Sequence, residues 1–354
     1  MRITNNMMVA NSIWNLNQNL ERLSKAQEKG SSQSKIQLPS DDPVIATRAI
    51  KYRNYVAKIE QYQKNVEDAG SWQSVTDSAL KDLGDVIKQL RDLTSQASAE
   101  TKSESDLAAI REEVIQLKEQ AIDIMNTSYA GRYVFGGFVT DKAPYEVTST
   151  TLGDKVMFKE GYLSLGSPVS GLVDDADIIA FCQANAAQMY ESGGAQEINY
   201  NIGFGGQLAV NVEGQDVIGT GVGTNLFDTI DKLLLGLDGE TSYKTAEIDN
   251  SGTPATVTVT SHDLNLDELL DTLDTDYDRV LTTRADLGAR MNYVNMSKTR
   301  LANDLTTYTT LMSNNEDVDV AEASMELSTA QYVYQATLSV SSKVIGKSLV
   351  DYLS

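Results

Sequence analysis

YRNYVAKIEQYQKNVEDAGSWQSVTDSALKDLGDVIKQL, residues 52–90, steps by threes and fours through Tyr52, Tyr55, Ile59, Tyr62, Val66, Ala69, Gln73, Thr76, Leu80, Leu83, Ile87 and Leu90 without missing a position. A 3.5-residue period sustained this long is the signature of a coiled-coil helix, whose seam stays wet unless a second helix covers it. A matching run lies near the other end of the chain: Leu266, Leu270, Leu273, Tyr277, Val280, Arg284, Leu287, Met291, Val294, Lys298, Leu301, Leu305, Tyr308 and Met312. Each run is the obvious cover for the other. The expected fold is therefore mainly α with an inserted β domain (α+β), a long antiparallel coiled-coil rod built from both chain ends and carrying a mostly β head. Gln73, Thr76, Arg284, Lys298 and Ser341 interrupt the seams; such residues either select register and partner or are simply part-exposed.

Working outward, Val9, Ile13, Leu16, Leu20 and Leu23 share heptad spacing on a first helix that fades near Gly30. The segment Leu38-Pro39-Ser40-Asp41-Asp42-Pro43 reads as a helix start, with Ser40, Asp41 or Asp42 available as cap and Pro43 pre-set for the first turn. The helix it opens is expected to run to about Ser98, and a third begins at Ser103 or Ser105 to form an antiparallel hairpin with it. After a break at 313–317, a last helix carries Val320, Ala323, Leu327, Ala330, Tyr334, Thr337, Ser341 and Val344 on one stripe. Leu338, Ile345, Leu349 and Tyr352 form a neighbouring stripe, and two apolar stripes imply two contacts. All five prolines, at 39, 43, 144, 168 and 254, avoid the interiors of these helices.

At Gly131 the period changes. Arg132-Tyr133-Val134-Phe135-Gly136-Gly137-Phe138-Val139 is aromatic and β-branched around a glycine pair, which predicts two short strands and a turn. Strands are expected at 156–158, 198–202, 208–212 and 256–260, with helices at 175–190 and 226–237. The division that follows is 1–40 with 315–354, 41–138 with 263–314, and an inserted outer part, 139–262.

The 354 residues carry 29 Lys and Arg against 50 Asp and Glu, a formal charge of −21. That balance argues against nucleic acid as a partner, because phosphate binding is driven by basic side chains releasing counterions. No run approaches a membrane span, so no membrane partner is expected. Asn5, Asn6, Asn11, Asn15 and Asn17 leave no apolar region near Met1, so no cleavable secretory signal is expected. With His262 the only histidine and Cys182 the only cysteine, triads built on histidine and zinc sites have no raw material. Gly346-Lys347-Ser348 lacks the upstream glycine of a phosphate loop, and the runs Gly203–Gly206 and Gly219–Gly223 read as turns. The acidic clusters at 174–177 and 316–319 lack the glycine and terminal glutamate of a calcium loop. No catalytic residue, cofactor or metal is expected.

Met1-Arg2-Ile3-Thr4 leading to Met7-Met8, then Leu38-Pro39-Ser40-Asp41-Asp42-Pro43-Val44-Ile45-Ala46 and Gly131-Arg132-Tyr133-Val134-Phe135-Gly136-Gly137-Phe138 with Ala143-Pro144-Tyr145, resemble the flagellin family, nearest to its hook–filament junction members. Ala285-Asp286-Leu287-Gly288-Ala289-Arg290-Met291-Asn292, Asp319-Val320-Ala321-Glu322-Ala323 and Ser348-Leu349-Val350-Asp351-Tyr352-Leu353 agree. The likeness covers both helical arms; between about 140 and 262 the best-matching piece is Asn225-Leu226-Phe227-Asp228-Thr229-Ile230. The resemblance implies a secreted structural adapter, exported unfolded and seated outside the cell at the junction of flagellar hook and filament. Its implied partners are further copies of itself in a helical junction ring, the first hook-associated junction protein, flagellin, and a cytoplasmic export chaperone on the C-terminal helix. Residues 1 to about 37 and 315–354 would order on assembly, with Val9, Ile13, Leu16, Leu20, Leu23, Leu338, Ile345, Leu349 and Tyr352 as the interface. The alternatives are a filament subunit and a coiled-coil adhesin with a ligand-binding head.

Overall fold

The computed structural model describes residues 5–98, 103–190, 193–220, 223–249 and 255–345. The chain divides into two compact units, residues 1–61 with 300–354 and residues 62–299.

Unit 1 holds α1 (Asn5–Ser32), the start of α2 (Pro43–Ala97), the end of α7 (Leu266–Glu316) and α8 (Val320–Ile345). Of the three candidate caps for α2, Asp42 takes the role: its Oδ1 accepts the amides of Val44 at 2.9 Å and Ile45 at 3.1 Å. Asp41 instead turns back, accepting the Leu38 amide at 2.9 Å and the Gln37 amide at 3.2 Å, and these two bonds hold its carboxyl below the usual range. Tyr55 and Tyr308 stack at 5.1 Å between centroids, joining α2 to α7 within this unit. Two helices outrun their expected ends: α1 passes Gly30 to Ser32, and α7 passes Met312 to Glu316.

In unit 2 the rest of α2 and α7 run antiparallel. The pairs Gly70 with Val294, Asp77 with Arg284, Gly84 with Tyr277 and Arg91 with Asp274 advance along one helix while retreating along the other. Leu273, Val280, Leu287 and Val294 are buried at strict seven-residue spacing, opposite the buried α2 run Val66, Ala69, Gln73, Thr76, Leu80, Leu83, Ile87 and Leu90. α2 buries a second stripe, Trp72, Ala79, Val86 and Leu93. The third helix, α3 (Glu104–Met125), opens on a capping box in which Ser103 and Asp106 satisfy each other's amides. α3 packs on α6 (Leu226–Leu237), with Lys118 paired to Asp231 and Arg111 to Asp238.

Strands β1 (Ser128–Tyr129) and β2 (Arg132–Tyr133) turn at Ala130-Gly131, both with positive φ, 50° and 77°, as a two-residue hairpin loop requires. This corrects the expected turn: Gly136-Gly137 lies after the strand, in a tight bend where a Cβ on Gly136 would clash with the Val139 carbonyl oxygen. Further on, β3 (Tyr145–Thr150), β4 (Gly153–Phe158) and β5 (Gly161–Tyr162) form one antiparallel sheet. A second has the order β10 (Thr256–Asp263), β9 (Ser242–Asp249), β6 (Val169–Ser170), and β7 (Asn199–Gly203) pairs β8 (Gly206–Ala209). The expected strand at 208–212 is displaced to β8, which starts two residues earlier because it follows directly on the Gly205 turn, at φ 85°. The helix expected to reach Tyr190 ends at Asn185 as α4 (Asp175–Asn185), followed by a single 3₁₀ turn. A five-residue helix, α5 (Gly214–Ile218), was not foreseen. Two apolar nuclei result. Tyr162, Leu165, Val169, Ile178, Cys182 and Ala246 form one; in the other, Tyr145 packs on Phe158 at 5.0 Å and on Phe227 of α6 at 5.8 Å.

Candidate assembly surface

α1 and α8 pack along each other in unit 1. Gly30 of α1 faces Leu327 of α8, and the small residues Ala26, Ala323 and Ser341 are buried on these helices. Small side chains let two helices approach closely, while polar groups across the seam fix direction. Here Asn19 Nδ2 donates to Thr337 Oγ1 at 2.7 Å and Lys29 Nζ lies 3.3 Å from Glu326, an antiparallel order. At the open end the connecting segments are stitched by backbone: Lys35 N–H donates to the Glu316 carbonyl at 2.7 Å and Val318 N–H to the Gln33 carbonyl at 3.0 Å. Gln33 adopts φ 57° to make that turn. Arg53 clamps the joint through Glu316, its Nε 3.0 and 3.1 Å from the two carboxylate oxygens.

This pairing divides the residues expected to mediate assembly. Val9, Leu16 and Leu23 are half-buried along α1, whereas Ile13, Leu20 and Leu338 are exposed. The side chain of Ile345 and all of Leu349 and Tyr352 fall outside the described residues. Larger exposed groups were missed by the sequence reading: Trp14 is 63% exposed, Met325 64% and Tyr332 74%, with Met7 and Val340 also open. Their signal was available, since Met7 to Trp14 and Met325 to Tyr332 repeat the seven-residue step beside the stripes already noted. A helix pair showing this much apolar surface on its outer side presents the kind of patch that marks an interaction site.

Charge is partitioned with the units. Unit 1 carries 12 basic and 12 acidic residues, while unit 2 carries 17 and 38, so the entire −21 resides in unit 2. Within unit 1 the N-terminal segment has 9 basic and 5 acidic residues and the C-terminal segment 3 and 7. The two arms are therefore oppositely charged and neutral together.

The other sequence candidates take ordinary structural places. His262 stacks on Tyr243 at 5.2 Å with Nε2 2.8 Å from Thr245 Oγ1. Cys182 is buried, and desolvation pushes its thiol up to about 11, which suppresses the reactive thiolate. Gly203–Gly206 spans the β7–β8 turn. Among the described residues no group of three or more His, Cys, Asp and Glu side chains is placed to hold a metal ion, and no helix is long and apolar enough to cross a membrane.

The bacterial flagellin N-terminal helical region matches residues 3–140, and the bacterial flagellin C-terminal helical region matches residues 270–353. The chain belongs to the bacterial flagellin family. The first matched region of this flagellin-family chain contains α1 and the second α8. A flagellin from Clostridium tyrobutyricum is 32% identical over 128 residues, covering 36% of this chain and 34% of that protein. The chain thus aligns to about a third of that relative's length. Flagellar hook-associated protein 3 from Escherichia coli is 24% identical over 294 residues, covering 82% of this chain and 80% of that protein. A solved structure from Vibrio parahaemolyticus, described as a flagellar hook-associated protein, superposes with a TM-score of 0.55 at 15% identity, over 78% of this chain and all of that one. That likeness establishes the flagellin-like fold: mainly helical, with a β-containing insert.

Proposed function

We propose that the chain is a structural adapter of the bacterial flagellum, placed at the junction between hook and filament. One observation carries the choice over a filament subunit. The alignment to hook-associated protein 3 continues through the middle of the chain, 82% of its length, whereas that to the Clostridium flagellin stops at 36%. Helical arms are common to the whole family, so a match that extends into the insert separates its branches.

In this reading the terminal segments, 1–40 and 315–354, form the inner assembly part, 41–138 with 263–314 form a helical stem, and 139–262 form the outer part. Copies of the chain join through the outer faces of α1 and α8. Ile13, Leu20 and Leu338 mediate that contact together with Ile345, Leu349 and Tyr352, while Val9, Leu16 and Leu23 hold α1 on α8. The apolar face and the neutral charge of unit 1 support self-association there, since neither repulsion nor solvation opposes close packing. The hook side would receive the first junction protein and the distal side flagellin; before export, a chaperone would cover the C-terminal helix. The protein acts by binding, outside the cell, and carries out no reaction.

Immunogold labelling of isolated flagella tests the assignment. Label confined to a short zone between hook and filament is expected; label along the filament would identify a filament subunit instead. An adhesin would lose its function on deletion of 139–262, whereas the adapter loses it on trimming either terminal helix.

A further inference from the structure

Around the N-terminal turn of α6, unit 2 buries several charges, three of which, Asp228, Lys155 and Lys232, end on neutral groups. Asp228 is 3% exposed, yet its carboxylate accepts from Ser164 Oγ at 2.7 Å and from the Gly223 amide, not from a lysine or arginine. Lys155, also 3% exposed, ends on backbone carbonyls, Ser167 at 3.1 Å and Pro168 at 2.6 Å. Lys232, buried too, donates to the Gly223 carbonyl and lies over the Tyr243 ring at 5.1 Å. From α7, Asp276 accepts from Thr229 Oγ1 at 3.0 Å and pairs with Arg279 at 2.7 Å, and Arg279 reaches the Ile218 carbonyl at 2.9 Å. The surroundings are completed by the Lys118–Asp231 pair of α3 and α6 and by the Cys182 thiol of α4. Ions removed from water without a direct counter-ion are costly, and the cost is relieved when a carboxylate gains a proton or a lysine loses one.

We propose that this seat of α6 is a proton-linked device: unit 2 tightens on acidification from neutrality. The direction follows from each group. Burial raises Asp228 to about 7 and Asp276 to about 6 from an ordinary 3.8. Their stabilising contribution is full below the ordinary value and is lost as pH rises through 6 to 7. Burial lowers Lys155 and Lys232 from 10.5, so their contribution is present above 10.5 and lost as pH falls. The two sets therefore act in opposite directions, the carboxyls favouring the folded state on acidification and the lysines on alkalinisation. The inference rests on unit 2 alone and is independent of the flagellar reading, whose assembly surface lies in unit 1.

The test uses the full chain with Trp14→Phe, which leaves Trp72 as the one tryptophan and the reporter of unit 2. Urea unfolding is followed from pH 8 to pH 5.5 at high salt, where repulsion among surface carboxylates is screened. The unfolding constant is expected to fall on acidification, by up to about tenfold per pH unit for each linked proton. Asp228→Asn and Asp276→Asn should each flatten the slope, while the exposed control Asp92→Asn leaves it unchanged. A flat slope in the parent, or the parental slope in both buried variants, overturns the proposal. Should Asp228→Asn fail to fold, hydrogen exchange in the parent decides: α6 amide protection factors must rise on acidification, and their constancy overturns it.

Discussion

At the residue scale, the polar seam positions turn out to be three different things. Arg284 is paired, its Nε and Nη2 lying 2.7 and 3.2 Å from the two oxygens of Asp77. Thr76 bonds back to the Trp72 carbonyl at 3.0 Å and needs no partner across the seam. Gln73 is fully buried with neither amide atom hydrogen-bonded. An unsatisfied buried amide costs about 1–3 kcal/mol, so Gln73→Leu is expected to raise the unfolding free energy by about that amount in urea titrations followed by circular dichroism. A loss of stability, or a change in oligomeric state, would show that Gln73 selects register. Nothing in a heptad distinguishes these fates, because each depends on what the opposite helix places across the seam.

At the scale of elements, helix periodicity was the legible part. The stripes placed α2, α3, α6 and α7 within a few residues of their ends and α8 at its start, and capping chemistry located the start of α2. The short strands were not legible: β5 and β6 have two residues each, and no pattern of period two can be recognised over such a length. Both contribute to one apolar nucleus, β5 through Tyr162 and β6 through Val169, together with Ala246 of β9. One element-level consequence is quantitative. An added Cβ at Gly84 would lie 3.5 Å from Tyr277 Cε2, an ordinary contact, and its φ is helical. Gly84→Ala should therefore stabilise unit 2 by about 1 kcal/mol, through lower chain entropy in the unfolded state. Thermal unfolding of the full chain reads the shift; a fall in midpoint would mean that α2 and α7 approach more closely than this geometry allows.

For the whole molecule, the partition of charge separates solubility from assembly. Unit 2 carries the −21 that keeps the chain dispersed, while neutral unit 1 presents its apolar outer face. Leu338→Asp places a carboxylate on that face without entering either unit's core. Its expected effect is an unchanged Trp72-reported unfolding midpoint together with at least about a tenfold rise in the protein concentration needed for self-association, equivalent to about 1.4 kcal/mol. Sedimentation across a concentration series measures the second quantity. Unchanged association would remove Leu338 from the interface, and a lowered midpoint would make its role one of folding.

Sequence alone determined that two long seams demand helical cover, that the middle breaks into glycine-punctuated strands, and that histidine- and cysteine-based chemistry has no raw material. These are properties of period and composition, carried by neighbours along the chain. Tertiary structure alone decided which apolar stripe of the terminal helices turns inward. Val9, Leu16 and Leu23 are half-buried on α1, where Gly30 faces Leu327 of α8, while Ile13, Leu20, Trp14 and Tyr332 stay exposed. It also decided that Asp228, Lys155 and Asp276, up to 121 residues apart in sequence, share one buried seat. Burial and pairing depend on distances between elements, and those exist only once the chain has folded.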